Sequence, residues 1–339
     1  MSVYNTGKFL PKAMDAMLKQ TWKDYEIILV DDGSTDGSSE TCEEQAKRGD
    51  NIHVFHKSNG GLSSARNFGI EHAQGEYIIF PDPDDWVEPN YLEKLLAIKT
   101  ESGADLSVCG HFDEMNGMTR VWNADASPCV LDNSTAMEML LLPSSFCGYA
   151  WNKLYRMDVI RDNHLRFDLE LGMAQDLHFA VRYFQCIRTV AYDHVPLYHY
   201  NHDSGGVTAS YTPLTKRKLS SLLTYRLIGE MTAENYPRIR DIAYSSLCHM
   251  CLQYIYIYYR TKMKDKDTLA LLTSHYQKYR DYYAAGNAYT KRDKMFMNVV
   301  SVSPRLYAFL TRLKKIWFNR VDKKRKSAWK PANRKEMSV

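Results

Sequence analysis

The chain has 339 residues, 45% of them hydrophobic and 25% charged, so it can bury a sizeable core in one large or two smaller domains. Its net charge of +4 is uneven: residues 305–339 hold twelve basic and two acidic residues, and the remainder holds 32 and 38. A basic tail of this kind says nothing about the fold. No stretch has the roughly 20 uncharged apolar residues that a membrane-spanning helix needs.

Strands and helices alternate from the start of the chain to about residue 98. Apolar spacing predicts these elements: a helix over 8–19, a strand over 26–30, a helix over 38–47, a strand over 52–55, a helix opened by Gly60-Gly61 and a strand over 77–80. This alternation predicts an α/β fold with a mainly parallel, doubly wound sheet and helices on both faces. Ligands bind such sheets at the carboxyl ends of the strands.

Two of the predicted strands end in acidic loops. One is followed by Asp31 and Asp32, and the last by Asp82, Asp84 and Asp85. Three carboxylates so close together repel one another unless a cation or a solvated loop separates them. Hard oxygen ligands suit Mg²⁺ or Mn²⁺ with a phosphorylated substrate, and the alternative is a solvated acidic turn.

One basic residue, Arg66, lies at the start of the helix that follows Gly60-Gly61. A phosphate at this edge of the sheet could bridge Arg66 and a metal held by the aspartates. The alternative is that Arg66 forms a surface salt bridge.

Four spaced motifs occur in order along the first 86 residues: Val3-Tyr4-Asn5, the Val-Asp-Asp-Gly-Ser-Thr-Asp-Gly-Ser run at 30–38, Gly60-Gly61-Leu62 with Ala65-Arg66-Asn67, and Asp82-Pro-Asp84-Asp85-Trp86. Together they resemble the family 2 glycosyltransferases with the GT-A fold, over about residues 2–215. The resemblance implies an inverting transferase of the bacterial cell-surface polysaccharide type. Its donor would be a nucleotide-diphosphate sugar, most often a UDP-sugar, and its cofactor Mg²⁺ or Mn²⁺.

The resemblance assigns the donor-binding residues by position. Asp32 matches the aspartate that recognises the base, and Val3 and Asn5 fall in the first nucleotide-contacting loop. Arg66 matches a basic residue on the nucleotide side.

The D-x-D motif of the family corresponds to Asp82 and Asp84. Asp84 is expected to bind the metal and Asp82 to contact the ribose or sugar, whereas Asp85 is expected to shape the loop. Trp86 is assigned to the acceptor side or to the loop itself.

The catalytic base implied by the resemblance is Asp176. The chemistry needs one carboxylate that takes the proton of the acceptor hydroxyl. The alternative is that Asp176 only caps a helix. Gln175 replaces the family's usual Glu, which leaves the tuning of the base open, and His178 is expected to support the site.

Three further residues are assigned to the acceptor side or to a closing loop. Trp151, in a Trp-Asn-Lys-Leu-Tyr run that resembles the family, could stack on a sugar or simply pack in the core. His199 or His202 could supply the basic group of a loop that closes over the donor diphosphate. The alternative is a surface loop with satisfied histidines.

Beyond residue 215 the resemblance fades. Periodicity predicts packed helices over 216–235, 237–262 and 267–285. The expected domains are a GT-A domain at 1–215 (nucleotide half 1–100, acceptor half 101–215), a helical extension at 216–300 and a tail at 301–339. Seven cysteines without regular spacing predict free thiols in a reducing cytosol. For Cys248 and Cys251, a C-x-x-C pair, core packing is favoured over metal binding.

The tail predicts an amphipathic helix over 304–320. Its apolar face comprises Leu306, Phe309, Leu310, Leu313, Ile316 and Trp317. With the basic run at 323–326, such a helix is typical of an anionic membrane surface. We therefore expect a cytoplasmic protein, peripheral on the inner face of the cytoplasmic membrane, with a glycan or lipid-linked acceptor. The alternatives are a helix docked on the protein itself and, less favoured because aromatic residues are sparse, nucleic-acid binding.

The beginning of the chain departs from the family, which has a strand before the motif at Val3. Only Met1 and Ser2 precede it here, and a missing central strand would leave a gap with unpaired backbone groups. We therefore expect that the natural chain begins earlier, or that this product is unstable.

Two other functions remain open from the sequence. A nucleotidyltransferase also uses acidic loops on an α/β sheet, but the basic Gly-rich loop it needs near its start is not seen. A non-catalytic sugar-nucleotide-binding protein is consistent with the short beginning and with Gln175.

Overall fold

The computed structural model describes residues 1–121, 127–142, 145–204 and 213–328, with side chains to residue 317. The chain forms two compact units: the first ends at Ser246, and the second comprises residues 213–214 and those from Leu247 onward. The first unit thus includes residues 216–246, which the sequence analysis placed in the helical extension.

The first sheet lies at the start of the first unit and is parallel, in the order β1-β2-β3. Its strands are β1 (Ser2–Val3), β2 (Ile27–Asp31) and β3 (Ile52–His56). The helices between and after them are α1 (Leu10–Leu18), α2 (Ser38–Ala46) and α3 (Leu62–His72). Helix α1 buries Leu10, Ala13, Met14 and Met17, because these apolar positions recur at helical spacing.

The second sheet has the order β4-β9-β6-β10-β5, with β7 paired to β6 and β8 paired to β10. Its strands are β4 (Tyr77–Ile78), β5 (Trp86–Val87), β6 (Leu106–Met115), β7 (Met118–Val121), β8 (Cys129–Asp132), β9 (Lys153–Arg156) and β10 (Thr189–Asn201). The helices of this part are α4 (Tyr91–Ser102), α5 (Asn133–Leu141), α6 (Met157–Asp162), α7 (Gln175–Phe184), α8 (Lys216–Thr232) and α9 (Pro237–Arg260).

The predicted α/β class is confirmed, but the second sheet is mixed rather than mainly parallel. In it β6 and β10 are parallel, and the other pairs are antiparallel. One cause is the Asn116-Gly117 turn between β6 and β7, where both residues have positive φ. Such a turn closes an antiparallel hairpin.

The first strand is short and borders a cavity. Strand β1 pairs with β2 over two residues, and the Met1 amino group donates to the Ile28 carbonyl at 2.7 Å. Burial lowers the pKa of this amino group to about 5. A cavity of about 830 Å³ is lined by β1, β2 and the segment at 73–81, with Arg66 among its lining residues.

The second unit is helical. It contains the rest of α9, followed by α10 (Lys266–Ala285), α11 (Val299–Val302) and α12 (Pro304–Ala328). Cys248 and Cys251 are buried in α9, as the packing interpretation predicts, and all seven cysteines are free. Among the helices described here, none is long and apolar enough to cross a bilayer.

Candidate active site

The acidic loop after β4 is tethered to β10 through Asp85. The buried Asp85 carboxylate accepts hydrogen bonds from the Tyr198 hydroxyl at 2.7 Å and from the Asn201 backbone N–H at 2.8 Å. The Asn201 side chain in turn donates to the Asp84 carbonyl at 3.0 Å. Burial, together with Asp82 and Asp84, raises the pKa of Asp85 well above its usual value. Asp85 therefore shapes the loop, as the sequence analysis expected.

The neighbouring Asp84 side chain is partly buried and is a candidate cation ligand. Burial raises its pKa, and the negative charge of Asp82 adds to this shift. A divalent cation would relieve that repulsion. Within residues 1–121, 127–142, 145–204 and 213–317, no group of three or more His, Cys, Asp or Glu side chains could hold a metal. Ligands such as substrate phosphates would have to complete the site.

Arg66 forms an ion pair with Asp82, as the salt-bridge alternative expects, but its guanidinium is buried rather than at the surface. The guanidinium lies on α3, is 5% exposed, and places Nη2 2.9 Å from Asp82 Oδ1. Its Nη1 has no hydrogen-bond partner among the residues described. A buried charged donor without an acceptor costs free energy. An oxyanion of a bound ligand would satisfy it.

The loop after β2 is held by hydrogen bonds to its two aspartates. Asp32 accepts from Lys57 Nζ at 2.7 Å and from the backbone N–H groups of Gly60 and Gly61 at 3.0 and 2.7 Å. These bonds join the loop after β2 to the start of α3. An Asp32 carboxylate that reads a nucleotide base would have to share or exchange these donors.

In the first loop, the two residues predicted to lie near the nucleotide have different surroundings. Asn5 contacts the loop after β2: its Oδ1 accepts from Thr35 N–H at 2.9 Å, and its N–H donates to Ser34 Oγ at 3.1 Å. Val3 is fully buried, and its carbonyl accepts from Asp32 N–H at 2.9 Å. The Val3 side chain packs in the core, and the place of Val3 in a nucleotide-contacting loop stays a prediction.

Asp176 lies in the first turn of α7, after Ala174, whose φ is 58°. Burial raises its pKa, against the attraction of the positive charges of Arg66 and Lys153. Its Oδ1 accepts from the N–H of Leu177, the next residue, at 3.0 Å. The helix cap is Ala174, so the alternative role of Asp176 as an N-cap is wrong. A carboxylate with a raised pKa beside cationic groups is suited to accept a proton.

Comparison with known proteins decides the family. The sequence model described as "Glycosyl transferase family 2" matches residues 1–163. The putative glycosyltransferase EpsH of Bacillus subtilis (strain 168) is 33% identical over 261 residues, which make up 73% of this chain and 74% of that protein. The chain belongs to glycosyl transferase family 2.

Solved structures place this family 2 glycosyltransferase in the predicted GT-A fold. S. aureus TarS 1-349 in complex with UDP-GlcNAc matches with a TM-score of 0.64 at 18% identity, covering 91% of this chain and 87% of that chain. The mannosyltransferase PcManGT from Pyrobaculum calidifontis, in complex with GDP-Man and Mn²⁺, matches with a TM-score of 0.50 at 12% identity. The match covers 93% of this chain and 85% of the mannosyltransferase chain. The predicted type, a family 2 glycosyltransferase of bacterial surface polysaccharides, is confirmed.

Trp151 of this glycosyltransferase packs in the core, and the sugar-stacking alternative is wrong. The side chain is 2% exposed. Its ring stacks on Tyr149 on one side and Tyr198 on the other, with centroids 4.7 and 4.1 Å apart. No face remains for a pyranose. Tyr149 and Tyr200, whose ring centroids lie 5.8 Å apart, are partly exposed beside Trp151.

His199 lies between two carboxylates. Its Nδ1 is 2.7 Å from Glu114 Oε1 and its Nε2 is 2.9 Å from Glu88 Oε1. The ring also stacks between Trp86 and Phe112. A contact between His199 and a diphosphate would require the ring to leave one of these carboxylates. Trp86 packs against the His199 ring.

His202 is more exposed than His199 and lies 2.8 Å from Asp113 Oδ1 through Nε2. Among the residues that the structure describes, its Nδ1 has no ion-pair partner, and the contact of His202 with a donor stays a prediction. His178, in contrast, is buried on α7, and burial lowers its pKa to about 4. The lowered pKa favours the neutral imidazole, so His178 does not replace Asp176 as a charged group.

Proposed function

We propose that this family 2 enzyme transfers a sugar, with inversion, from a nucleotide-diphosphate sugar to a hydroxyl of a glycan or lipid-linked acceptor. The reaction would belong to cell-surface polysaccharide synthesis. The observation that carries the proposal is the buried Arg66 guanidinium, which pairs with Asp82 of the D-x-D motif through Nη2 and has no hydrogen-bond partner for Nη1 among the residues described. The charges of this pair also act on the pKa of Asp176, the candidate base.

A UDP-sugar is the favoured donor class. TarS has been solved with UDP-GlcNAc, whereas PcManGT has been solved with GDP-Man, so the fold accepts more than one base. In this chain, Asn5 and Asp32 would face the nucleoside, Arg66 Nη1 would donate to a phosphate oxygen, and Asp82 would contact the ribose or sugar.

Asp84 would hold Mg²⁺ or Mn²⁺ together with the phosphates of the donor. The partly buried carboxylate, its raised pKa and the nearby Asp82 charge fit a cation there. When bound, the metal would offset the negative charge that develops on the leaving diphosphate.

In the proposed reaction, Asp176 accepts the proton of the acceptor hydroxyl as the hydroxyl oxygen attacks the anomeric carbon. The bond between that carbon and the diphosphate oxygen breaks on the opposite face, and its electron pair leaves with the diphosphate. Arg66 stabilises that departing charge. A single displacement of this kind inverts the anomeric centre.

A donor screen tests this function. The purified chain would be assayed for nucleotide release from UDP- and GDP-sugars, with Mn²⁺ and a pool of lipid-linked acceptors. We expect turnover with one donor class, loss of turnover in Asp176→Asn, and no change in Asp162→Asn, an exposed aspartate of α6. Tight UDP binding without turnover, unaffected by Asp176→Asn, would instead support the non-catalytic alternative.

We further propose that α12 lies on an anionic membrane surface, at the inner face of the cytoplasmic membrane. The helix turns Tyr307, Ala308 and Thr311 into its own unit, where they are buried. The opposite, apolar face is exposed: Leu306, Phe309, Leu313, Ile316 and Trp317 are 42–60% accessible. A helix docked on the protein by its apolar face would have buried these residues instead.

Flotation with liposomes tests the membrane proposal. The intact chain should float with vesicles that contain phosphatidylglycerol and bind less to neutral vesicles. Leu313→Ser with Trp317→Ser should abolish flotation, and Leu271→Ser, an exposed apolar residue of α10, should leave it unchanged. Flotation of the double variant equal to that of the unaltered chain would contradict the proposal.

A further inference from the structure

Lys153 is a fully buried lysine at the start of β9 whose hydrogen bonds to the described residues go to uncharged oxygen atoms. Its Nζ donates to the carbonyls of Cys147 and Tyr149 at 2.9 and 2.6 Å, and to Asn152 Oδ1 at 2.8 Å. Burial lowers its pKa to about 7. A buried ammonium group is costly, so its position calls for a reason beyond packing.

The carbonyls that Lys153 binds flank Gly148, which lies against the start of α7. A Cβ added to Gly148 would lie 2.5 Å from Leu177 Cδ1 and 2.9 Å from Leu177 Cα. Leu177 directly follows Asp176, the candidate base. The loop at 146–152 therefore holds the first turn of α7 in place from outside the helix.

The same loop is fixed at both ends. Cys147 adopts a left-handed conformation, with φ at 55°. The buried Asn152 side chain donates to the Phe146 carbonyl at 3.1 Å while its Oδ1 accepts from Lys153. The Asn-Lys pair of the Trp-Asn-Lys-Leu-Tyr run thus closes the loop on itself, a role that the sequence analysis did not assign.

We propose that Lys153 is a positioning residue for Asp176, because it fixes the Gly148 loop against the first turn of α7. Its positive charge also favours the ionised Asp176 carboxylate. This inference rests on the proposed function of Asp176 as the base. The other charged or titratable groups that act on this carboxylate, or on which it acts, are Arg66 on α3, Asp82 in the acidic loop, Cys147 and Tyr149 in the Gly148 loop, and Tyr155 on β9.

Two variants separate the two parts of the role. Lys153→Met removes both the clamp and the charge, and Gly148→Ala disturbs the clamp but keeps the charge. We expect kcat to fall about 100-fold in Lys153→Met and about 10-fold in Gly148→Ala, because small misplacements of a catalytic group are costly. KM for the donor and the Kd for UDP should stay within about twofold. Lys94→Met, on the exposed face of α4, is the matched control.

The pKa of Asp176 is the second readout. It would be followed by ¹³C NMR titration of labelled aspartate and assigned with Asp176→Asn, so it needs no turnover. It should rise in Lys153→Met and stay unchanged in Gly148→Ala. An unchanged kcat in both variants overturns the proposal, and so does a fall in kcat without the pKa rise in Lys153→Met. If Lys153→Met does not fold, an unchanged kcat in Gly148→Ala alone overturns it. Absence of transfer by the unaltered chain would instead contradict the proposed function.

Discussion

Arg66 donates one arm of its guanidinium to Asp82, at 2.9 Å, and leaves the other arm without a hydrogen-bond partner among the residues described. The ion pair orients the guanidinium, and the second arm provides a charged donor in a buried place. Charge-assisted hydrogen bonds from arginine to phosphate are among the stronger polar contacts in proteins. This pair therefore connects the D-x-D loop to whatever anion binds beside α3.

Replacing Arg66 should weaken donor use more than it weakens folding. In Arg66→Met we expect kcat/KM for the nucleotide sugar to fall about 100-fold, since one donor to a developing charge is lost. Arg66→Lys keeps the positive charge and should lose less. Steady-state kinetics with the donor found in the screen would measure both, with circular dichroism to verify the fold. Equal kcat/KM in Arg66→Met and the unaltered chain would contradict the assigned phosphate contact.

Removal of the Asp84 carboxylate should abolish the effect of metal on nucleotide affinity. We expect Mn²⁺ to tighten UDP binding by the unaltered chain, because the metal would bridge the carboxylate and the phosphates. In Asp84→Ala that gain should vanish, while weak binding of UDP without metal remains. Isothermal titration calorimetry with and without Mn²⁺ measures this directly. Asp50→Ala, at an exposed turn, serves as control, and an undiminished Mn²⁺ effect in Asp84→Ala would contradict the assignment.

The two acidic loops and the start of α3 could be predicted because their signals are local. Each acidic loop follows an apolar run, which ends at Val30 in one case and at Phe80, before Pro81, in the other, and Arg66 follows a glycine pair. A strand end and a helix start can be identified from such neighbours in sequence. The helices at 267–285 and 8–19 were predicted to within about two residues for the same reason.

The remainder depends on residues distant in sequence. Trp151 offers no free face because Tyr198, from β10, covers it, and the sequence around Trp151 contains no sign of that contact. The order of the second sheet and the clamp formed by Lys153 likewise arise from pairings between segments far apart along the chain. Whether a polar or aromatic side chain faces a ligand or the core is decided by these long-range contacts.

Asp176 should lower the stability of the fold while it serves the reaction. Its pKa is raised by burial, so the native state binds a proton more tightly than the unfolded chain does. Stability therefore falls as pH rises through the interval between the unfolded and folded pKa values, and the loss is constant above it. Asp176→Asn should raise Tm near neutral pH and lose this advantage toward about pH 4.

Differential scanning fluorimetry between about pH 4 and pH 8 would follow that difference. Asp162→Asn should give a difference that does not vary with pH, because that carboxylate is exposed. If the Tm of Asp176→Asn near neutral pH is at or below that of the unaltered chain, the ionised Asp176 carboxylate does not destabilise the fold.

The Tyr198 hydroxyl joins two parts of the acidic loop, since it donates to Asp85 at 2.7 Å and accepts from the Asp82 N–H at 3.0 Å. Tyr198→Phe keeps the ring stacked on Trp151 but leaves the buried Asp85 carboxylate short of a donor. We expect it to cost about 1–3 kcal/mol in the free energy of unfolding. In the Asp85→Asn background the same substitution should cost less, and urea unfolding of the four proteins would give the coupling energy. Additive losses, with no coupling beyond about 0.5 kcal/mol, would mean that this hydrogen bond does not hold the loop.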